Sequence, residues 1–247
     1  RLWGGATNSG GELQIYNSAT EDSNVDSWEF EANDFLQLGI NTDEDLFIFD
    51  STGNVGAQSY LPTGLVGHWP LNDGTGTSAL DASLNTNTGT ITAGAGAWST
   101  DSPFRHSYDF DGADTLIDCG SDSTLDDITT LTLSLWLKAD GLGEGSQGRL
   151  FSKGWFVRVQ ATEELRFTNF YSGTDGTWSS SSNELTHDTW HHLVLTYDNS
   201  DAGNDPIFYV DGQTITVNED ATPVGNPSSD ALTSLIIGNE TGQTTTF

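Results

Sequence analysis

Residues 190–213, WHHLVLTYDNSDAGNDPIFYVDGQ, have the pattern of a β-hairpin and constrain the fold more than any other segment. In the first half, Leu193, Leu195 and Tyr197 alternate with more polar residues, which is the period of a strand with two different faces. A polar loop and a second short strand follow, and the strand ends at Asp211 and Gly212, a dipeptide that favours a tight turn with positive φ. The segment therefore predicts an antiparallel sheet.

The rest of the chain fits an all-β protein. It is rich in Gly, Ser, Thr, Asn and Asp, and no segment of helical length shows the apolar rhythm of an amphipathic helix. There is also no apolar run long enough to span a bilayer as a helix, so we expect no membrane insertion. A length of 247 residues suits one large β-sandwich and a smaller module.

The charge balance is strongly acidic, with 36 Asp and Glu against 7 Lys and Arg and a net charge of −29. The acids are spread along the chain, and their mutual repulsion is removed when molar salt shortens the screening length to about 3 Å. This indicates a hypersaline environment; the alternative is an acidic surface that binds Ca²⁺. Nucleic acid and anionic membranes are excluded as partners because both require a basic surface.

A Pro and Gly turn near residues 60–64 marks a boundary between two differently patterned regions. Residues 1–60 form a small β-rich attachment or oligomerisation module in which the segment 12–19 recurs at 45–52, with further strands expected at 27–31 and 35–40. Because so short a module has few apolar residues, we expect it to stack on copies of itself, with a trimer favoured, or to assemble with virion proteins. The single cysteine, Cys119, excludes an internal disulfide and reads as a small buried apolar residue.

The spacing of Trp190, His191, Tyr209 and Asp211 resembles the laminin-G-like (LamG-type) members of the concanavalin A-like lectin/glucanase superfamily. The same resemblance extends to the segments 67–74, 80–83, 108–118, 131–138 and 150–154. It implies a jelly-roll β-sandwich over residues 64–247. Family domains end with a strand of the type F-x-G-x-I-D-E-V-R-I-Y, which is not found before Phe247, so we expect the final strand to be missing and a sheet edge to be open.

The resemblance also implies a calcium site. Many LamG-type domains bind Ca²⁺ at the rim of the sandwich, and Asp81, Asp111 and Asp114 are the matching candidate ligands. Carboxylate oxygens are the ligands that such a hard cation prefers. The alternative is that they are ordinary solvated aspartates of a salt-adapted surface.

A carbohydrate site is expected among the aromatic residues that follow the LFSKG segment. Sugars stack on flat aromatic rings while carboxylates and amides bind their hydroxyl groups, so the candidates are Trp155, Tyr171 and Trp178 with Asp175. The alternative is that these rings belong to the core. Trp69, Trp136 and Trp190 are assigned to the core.

No catalytic residues are expected. Retaining glucanases of this superfold place two carboxylates about 5 Å apart, usually as E-x-D-x-E, and no such string occurs in residues 64–247. Glu29 and Glu31 are the nearest pair but lie in the first region. His191 and His192 are adjacent in a strand and point to opposite faces, so they cannot bind one metal together.

These observations predict a non-enzymatic, extracellular recognition protein on a virion or cell surface. We expect a viral fibre, spike or adhesin that binds host-surface carbohydrate or glycoprotein; residues 1–60 loosely resemble fibre-shaft modules, although an ordinary β-meander fits them as well. One alternative is a structural component that decorates or cements a virion or cell-surface lattice without a ligand. A secreted glycoside hydrolase is the remaining alternative.

Overall fold

A computed structural model describes residues 2–7, 10–15, 38–39, 46–47, 64–92, 94–141, 147–160, 162–240 and 247. The chain divides into two compact units, Arg1–Thr63 and Gly64–Phe247. In the first unit, the antiparallel pairs are β1 (Leu2–Thr7) with β2 (Gly10–Ile15) and β3 (Leu38–Gly39) with β4 (Leu46–Phe47). β2 and β4 overlap the two copies of the repeat and β3 overlaps the segment 35–40, whereas the strand expected at 27–31 lies outside the described residues.

The second unit is built from short antiparallel strands. In chain order these are β5 (Ser78–Ala79), β6 (Gly89–Thr92), β7 (Ala97–Ser99), β8 (Ser107–Asp109), β9 (Leu116–Asp118), β10 (Thr130–Lys138), β11 (Arg149–Ser152), β12 (Trp155–Val159), β13 (Leu165–Asn169), β14 (Gly176–Ser180), β15 (Trp190–Asp198), β16 (Ile207–Val210), β17 (Gln213–Thr214), β18 (Val217–Ala221) and β19 (Ile236–Ile237). A 3₁₀ turn at Ser123–Leu125 precedes β10. The all-β class predicted from the sequence is confirmed.

Two sheets make up most of this unit. One has four strands in the order β10-β15-β16-β17, and the other has nine in the order β18-β14-β13-β12-β11-β19-β9-β6-β5. The predicted hairpin is β15 with β16, in which Leu193 lies opposite Val210. Its turn has φ of +52° at Asp211 and +76° at Gly212, as this dipeptide predicts. This arrangement is the two-sheet sandwich that the sequence analysis expected.

In each long strand, successive side chains point to opposite faces of the sheet, and this decides which residues enter the core. In the four-stranded sheet, Leu131 and Leu137 of β10 and Leu193 and Leu195 of β15 are buried. The residues between them, including Trp136, point to the opposite face, which we call the outer face of that sheet. The same rule places Val157 and Val159 of β12 in the core.

An aromatic cluster joins the two sheets inside the sandwich. Phe167 of β13 stacks on Trp178 of β14 with ring centroids 5.8 Å apart, and both rings contact Tyr197 of β15, at 5.1 and 5.2 Å. Since these strands belong to different sheets, the cluster fixes how the sheets face each other. Each such ring contributes a large area of buried apolar surface.

β10 lies at one end of its sheet. It pairs with β15 along nine residues, and no other strand of the described residues pairs with its second side. In that same part of the chain, no helix has the length and apolar character needed to cross a bilayer. Cys119 is buried in the core beyond the end of β9, as expected.

Candidate functional site

The three aromatic residues that were expected to hold a sugar lie in the core. Trp178 is 0% exposed, and Trp155 and Tyr171 are 7% and 5% exposed. A buried ring has no face on which a ligand could stack. These rings are therefore not the stacking platform that the sequence analysis expected, and its alternative, a role in the core, describes them.

Their polar atoms are satisfied inside the protein. The indole Nε1 of Trp178 donates to Asp205 Oδ1 at 2.8 Å, and the hydroxyl groups of Tyr171 and Tyr197 lie 2.9 Å apart. Asp175 is exposed, and its Oδ1 accepts a hydrogen bond from the backbone N–H of Tyr171 at 3.0 Å. A ligand role for Asp175 stays a prediction.

Asp81 organises the loops at the start of the sandwich. Its Oδ1 accepts from the backbone N–H groups of His68 and Ser83, and its Oδ2 accepts from the Ser83 hydroxyl and the Asn87 N–H, at 2.7–2.8 Å. Burial raises the pKa of this carboxyl, but these hydrogen bonds outweigh burial and the pKa is lowered. Because both oxygens already face two donors each, Asp81 does not fit a role as a cation ligand.

Asp111 and Asp114 lie next to each other in the loop between β8 and β9. An added Cβ on Gly94 would lie 2.7 Å from Asp111 Oδ2, 2.5 Å from Asp114 Oδ1 and 2.1 Å from Thr115 Oγ1, so three oxygens converge beside this glycine. Asp111 Oδ1 also accepts from the backbone N–H groups of Ala113, Asp114 and Thr115. Among the described residues, however, no group of three or more His, Cys, Asp or Glu side chains is placed to hold a metal ion, so Asp81, Asp111 and Asp114 do not form the expected set.

An exposed aromatic surface lies instead on the outer face of the four-stranded sheet. Trp136 is 43% exposed and Phe104 is 70% exposed. The Trp136 ring stacks on His192 with centroids 5.2 Å apart, and the Phe104 ring meets it edge-on at 5.9 Å. His192 Nε2 is in turn 2.9 Å from the Ser134 hydroxyl. We call Phe104, Trp136 and His192 the aromatic patch.

The loop that carries Phe104 is fastened to the sheet by Asp101. One carboxylate oxygen of Asp101 accepts from Trp190 Nε1 at 3.0 Å, and the other accepts from the ammonium group of Lys138. Lys138 and Trp190 are directly paired residues of β10 and β15. Asp101 therefore binds to the neighbouring strand pair and holds the loop next to Trp136.

The expected core role of Trp136 and Trp190 is wrong, whereas that of Trp69 is confirmed. Trp69 packs against the core. Trp136 and Trp190 occupy the alternate strand positions that also hold polar residues. The sequence already shows this for Trp136: in the segment LTLSLWLK, the four leucines alternate with Thr132, Ser134, Trp136 and Lys138. A strand that buries its leucines must place this tryptophan on the other face.

The two histidines point to opposite faces, as predicted. His191 Nδ1 lies 2.7 Å from Asp211 Oδ2, while His192 belongs to the aromatic patch. They cannot bind one metal together. That the protein has no catalytic residues stays a prediction.

The two antiparallel sheets define the class of the protein as a β-sandwich. A family model described as the concanavalin A-like lectin/glucanases superfamily, Laminin_G_3, matches residues 111–247, which is more than half of the chain. The chain belongs to this family, so the resemblance stated from the motifs is confirmed. The match begins within the segment 108–118 and leaves out the segments 67–74 and 80–83, which lie in the same compact unit.

Among solved structures, the chain is similar to the native heptameric SAP-like pentraxin from Limulus polyphemus, with 16% identity and a TM-score of 0.34. The alignment covers 47% of this chain and 55% of the pentraxin chain. A likeness of this size says nothing about the ligand or the assembly of this protein. No curated protein matches the chain.

Proposed function

We propose that this protein recognises carbohydrate without breaking bonds and that the aromatic patch is the platform for the sugar. The observation that carries this proposal is the exposure of Trp136, on the outer face of the four-stranded sheet, and of the neighbouring Phe104, while the tryptophans of the nine-stranded sheet are buried. Large exposed aromatic surfaces are uncommon on soluble domains and mark binding sites. Membership of a superfamily that includes lectins supports the same class of function.

The chemistry of the patch suits the apolar face of a sugar ring. The indole of Trp136 offers a flat surface whose orientation is fixed by His192 beneath it and Phe104 beside it. A ring held in place loses little entropy when a ligand stacks on it. Each contact of this kind is weak, so display of several copies provides the avidity.

The superfamily description covers glucanases as well as lectins, so membership leaves both classes open. Binding is favoured because three carboxylates of the described loops, those of Asp81, Asp101 and Asp111, are occupied in holding the fold. Asp81 and Asp111 each accept several backbone N–H groups, and Asp101 holds Trp190 and Lys138. A general acid or nucleophile needs a carboxyl group that is free to contact the substrate.

The finer proposal is display on a virion fibre or spike, or as an adhesin, in a hypersaline environment. Its support is the net charge of −29 and the order of a small β-rich unit followed by a lectin-like unit. The partner would be a host-surface carbohydrate or glycoprotein, and the first unit would form a homo-oligomer, with a trimer favoured.

Calcium binding stays a prediction, and Asp114 is its best candidate ligand, because both oxygens of Asp81 and of Asp111 already accept hydrogen bonds. Ca²⁺ needs six to eight oxygen ligands, so water or backbone carbonyl groups would complete the site. Adding CaCl₂ should raise the unfolding temperature of the native protein but not that of Asp114→Asn. An equal effect of MgCl₂, or a CaCl₂ effect on Asp114→Asn as large as that on the native protein, would argue against a specific site.

The test of the main proposal is a glycan array in high salt, followed by titration of the sugars that bind. Trp136→Ala and Phe104→Ala should each weaken binding about tenfold or more, because each removes stacking surface. The matched control is Ile207→Ala, an equally exposed apolar residue of the same sheet at 46% exposure, which should bind as the native protein does. Unchanged binding in both aromatic variants would refute the role of the patch, and loss of particle integrity without sugar binding would favour the structural alternative.

A further inference from the structure

Three arginines lie side by side in the nine-stranded sheet. Arg149 of β11 is paired with Arg158 of β12, and Arg158 is paired with Arg166 of β13. The chain has only 7 basic residues against 36 acidic ones, so this row contains a large share of its positive charge. The three side chains follow one another across neighbouring strands, where like charges repel.

The row projects away from the core. Val157 and Val159 of β12 and Leu165 and Phe167 of β13 are buried in the core, so the residues that alternate with them face outward. Arg158 and Arg166 are among these outward-facing residues. The row therefore lies on the outer face of the nine-stranded sheet, a different sheet from the one that carries the aromatic patch.

The row lies over small residues that carry hydroxyl groups. Ser152, Thr168, Thr177 and Ser179 are all buried, although Thr168 and Ser179 alternate with core residues along their strands. Small side chains on an outward face become buried only when longer neighbours shield them. We call this surface, with the three arginines, the arginine recess.

An aromatic ring supports two of the guanidinium groups. The Cζ atoms of Arg149 and Arg158 lie 4.1 and 5.3 Å from the centroid of the same Phe156 ring. Arg158 Nη2 and Arg166 Nη1 both point to Gln160 Oε1, at 3.2 and 3.4 Å. The three groups are thus fixed close together.

Arg158 is the under-compensated member of the row. Arg149 pairs with Glu240 at 3.0 Å and Arg166 with Asp220 at 3.6 Å. Arg158 donates to the neutral side-chain oxygens of Gln147 and Gln160, and no carboxylate of the described residues lies within ion-pair distance of it. Burial lowers the pKa of Arg158, and the positive charges of Arg166 and Arg149 lower it further.

We propose that the arginine recess binds an anionic sugar unit, one that carries a carboxylate or a sulfate group. A guanidinium group binds such planar or tetrahedral anions through two parallel hydrogen bonds, and Arg158 would exchange its glutamine acceptors for the anion. This inference extends the proposed carbohydrate recognition to a second face and names its ligand class.

The salt dependence of binding should distinguish the arginine recess from a simple charged surface. At low salt the net charge of −29 repels an acidic polymer from the whole protein, whereas partly buried charges at short range are screened less by salt. Affinity for the acidic ligand should therefore rise or stay level when NaCl is increased from low concentration to about 0.5 M. A simple surface attraction would weaken over the same range.

The test is titration of the full chain with two acidic oligosaccharides, oligogalacturonate and a sulfated galactan fragment, and with a neutral galactan fragment of the same length. Arg158→Gln should weaken binding of the acidic ligand about tenfold or more, because a charge-assisted pair is lost. Arg105→Gln, which makes the same charge change at an exposed position, is the matched control and should bind as the native protein does. Whichever acidic ligand binds identifies carboxylate or sulfate as the anion.

Arg158→Lys covers the case in which Arg158→Gln does not fold. It keeps the charge but removes the paired donors, so it should also lose most of the affinity. The inference is overturned if neither acidic ligand binds the native protein, or if Arg105→Gln loses as much affinity as Arg158→Gln. Trp136→Ala separates the two proposals, since it should affect sugar stacking at the aromatic patch and leave binding at the recess unchanged.

Discussion

His191 Nδ1 and Asp211 Oδ2 lie 2.7 Å apart and lock the two ends of the β15–β16 hairpin together. The backbone N–H of Thr186 donates to His191 Nε2 at 3.0 Å, so Nε2 has no hydrogen and Nδ1 donates to the carboxylate. Asp211 Oδ1 accepts from the backbone N–H of His192 at 2.9 Å. The spacing of the W-H-H and Y-V-D-G-Q segments is thus explained by one hydrogen-bonded unit.

Replacing Asp211 should therefore destabilise the hairpin. We expect Asp211→Ala to lower the free energy of unfolding by about 1–2 kcal/mol, because two donors lose their acceptor. Asp211→Asn should cost less, since asparagine tolerates the positive φ and keeps an oxygen acceptor. Urea unfolding followed by tryptophan fluorescence measures both; equal losses in the two variants would show that the side-chain acceptor is unimportant.

The two lysines offer a matched pair of charge deletions. Lys153 Nζ is almost fully buried and lies 2.8 Å from Asp126 Oδ1 and 3.1 Å from Asp230 Oδ1. It also donates to the carbonyl oxygens of Asp230 and Thr233 at 2.8 and 2.9 Å. Lys153→Met leaves two carboxylates without their cation and should lower the free energy of unfolding by about 3–5 kcal/mol.

Lys138 is the control for this deletion, because its ion pair with Asp101 lies at the surface. Lys138→Met should destabilise the protein much less, since exposed ion pairs contribute little to the free energy of unfolding. Thermal unfolding of both variants at one salt concentration gives the comparison. A loss for Lys138→Met as large as that for Lys153→Met would contradict the assigned difference in burial.

Acid should weaken the loop that Asp111 organises. Burial raises the pKa of this carboxyl, but hydrogen bonds from the N–H groups of Ala95, Ala113 and Thr115 lower it well below its usual range. A group with a lowered folded-state pKa contributes its full stability above the unfolded-state pKa of about 3.9 and loses it as the pH falls toward the folded-state value. In urea unfolding at high salt, stability should fall below about pH 4. Asp111→Asn should be less stable at pH 6 and show a shallower acid dependence, and an unchanged pH profile would contradict this role.

The net charge makes a separate prediction about salt. With −29 charges on 247 residues, repulsion within the folded chain should be largest at low ionic strength. Raising NaCl from about 0.05 to 2 M shortens the screening length severalfold and should raise the unfolding temperature steadily. The control is the same titration near pH 4, where protonation of the acids removes most of the charge and the salt effect should shrink. A flat or falling unfolding temperature at neutral pH would count against adaptation to salt.

Local patterns in the sequence were sufficient to predict the β15–β16 hairpin and the protein family. The alternation around Leu193 and Leu195 and the dipeptide at Asp211 predicted the hairpin correctly, because strand period and turn chemistry are properties of a few adjacent residues. The leucines of β10 carried the same information about Trp136. The position of a tryptophan in the strand alternation, and not its residue type, decides whether its side chain enters the core.

The candidate sites depended on contacts that a local pattern does not show. Trp178 lies in GTWSS, where small polar neighbours suggest an exposed loop, and only packing against Phe167 and Tyr197 explains its burial. The arginine recess depends on the register of three strands, which the turns between them determine. No spacing rule along the chain would have placed Arg149 beside Arg158.

Cys119, the single cysteine of the chain, allows local opening of this domain to be measured. Burial raises the pKa of Cys119, so the reactive thiolate is scarce while the strands around it remain closed. A thiol-reactive label added to the untouched native protein can attach only during those brief separations. The rate of labelling, followed by mass spectrometry, therefore measures how often the structure around this cysteine opens. No cysteine has to be engineered, and no second cysteine contributes to the signal.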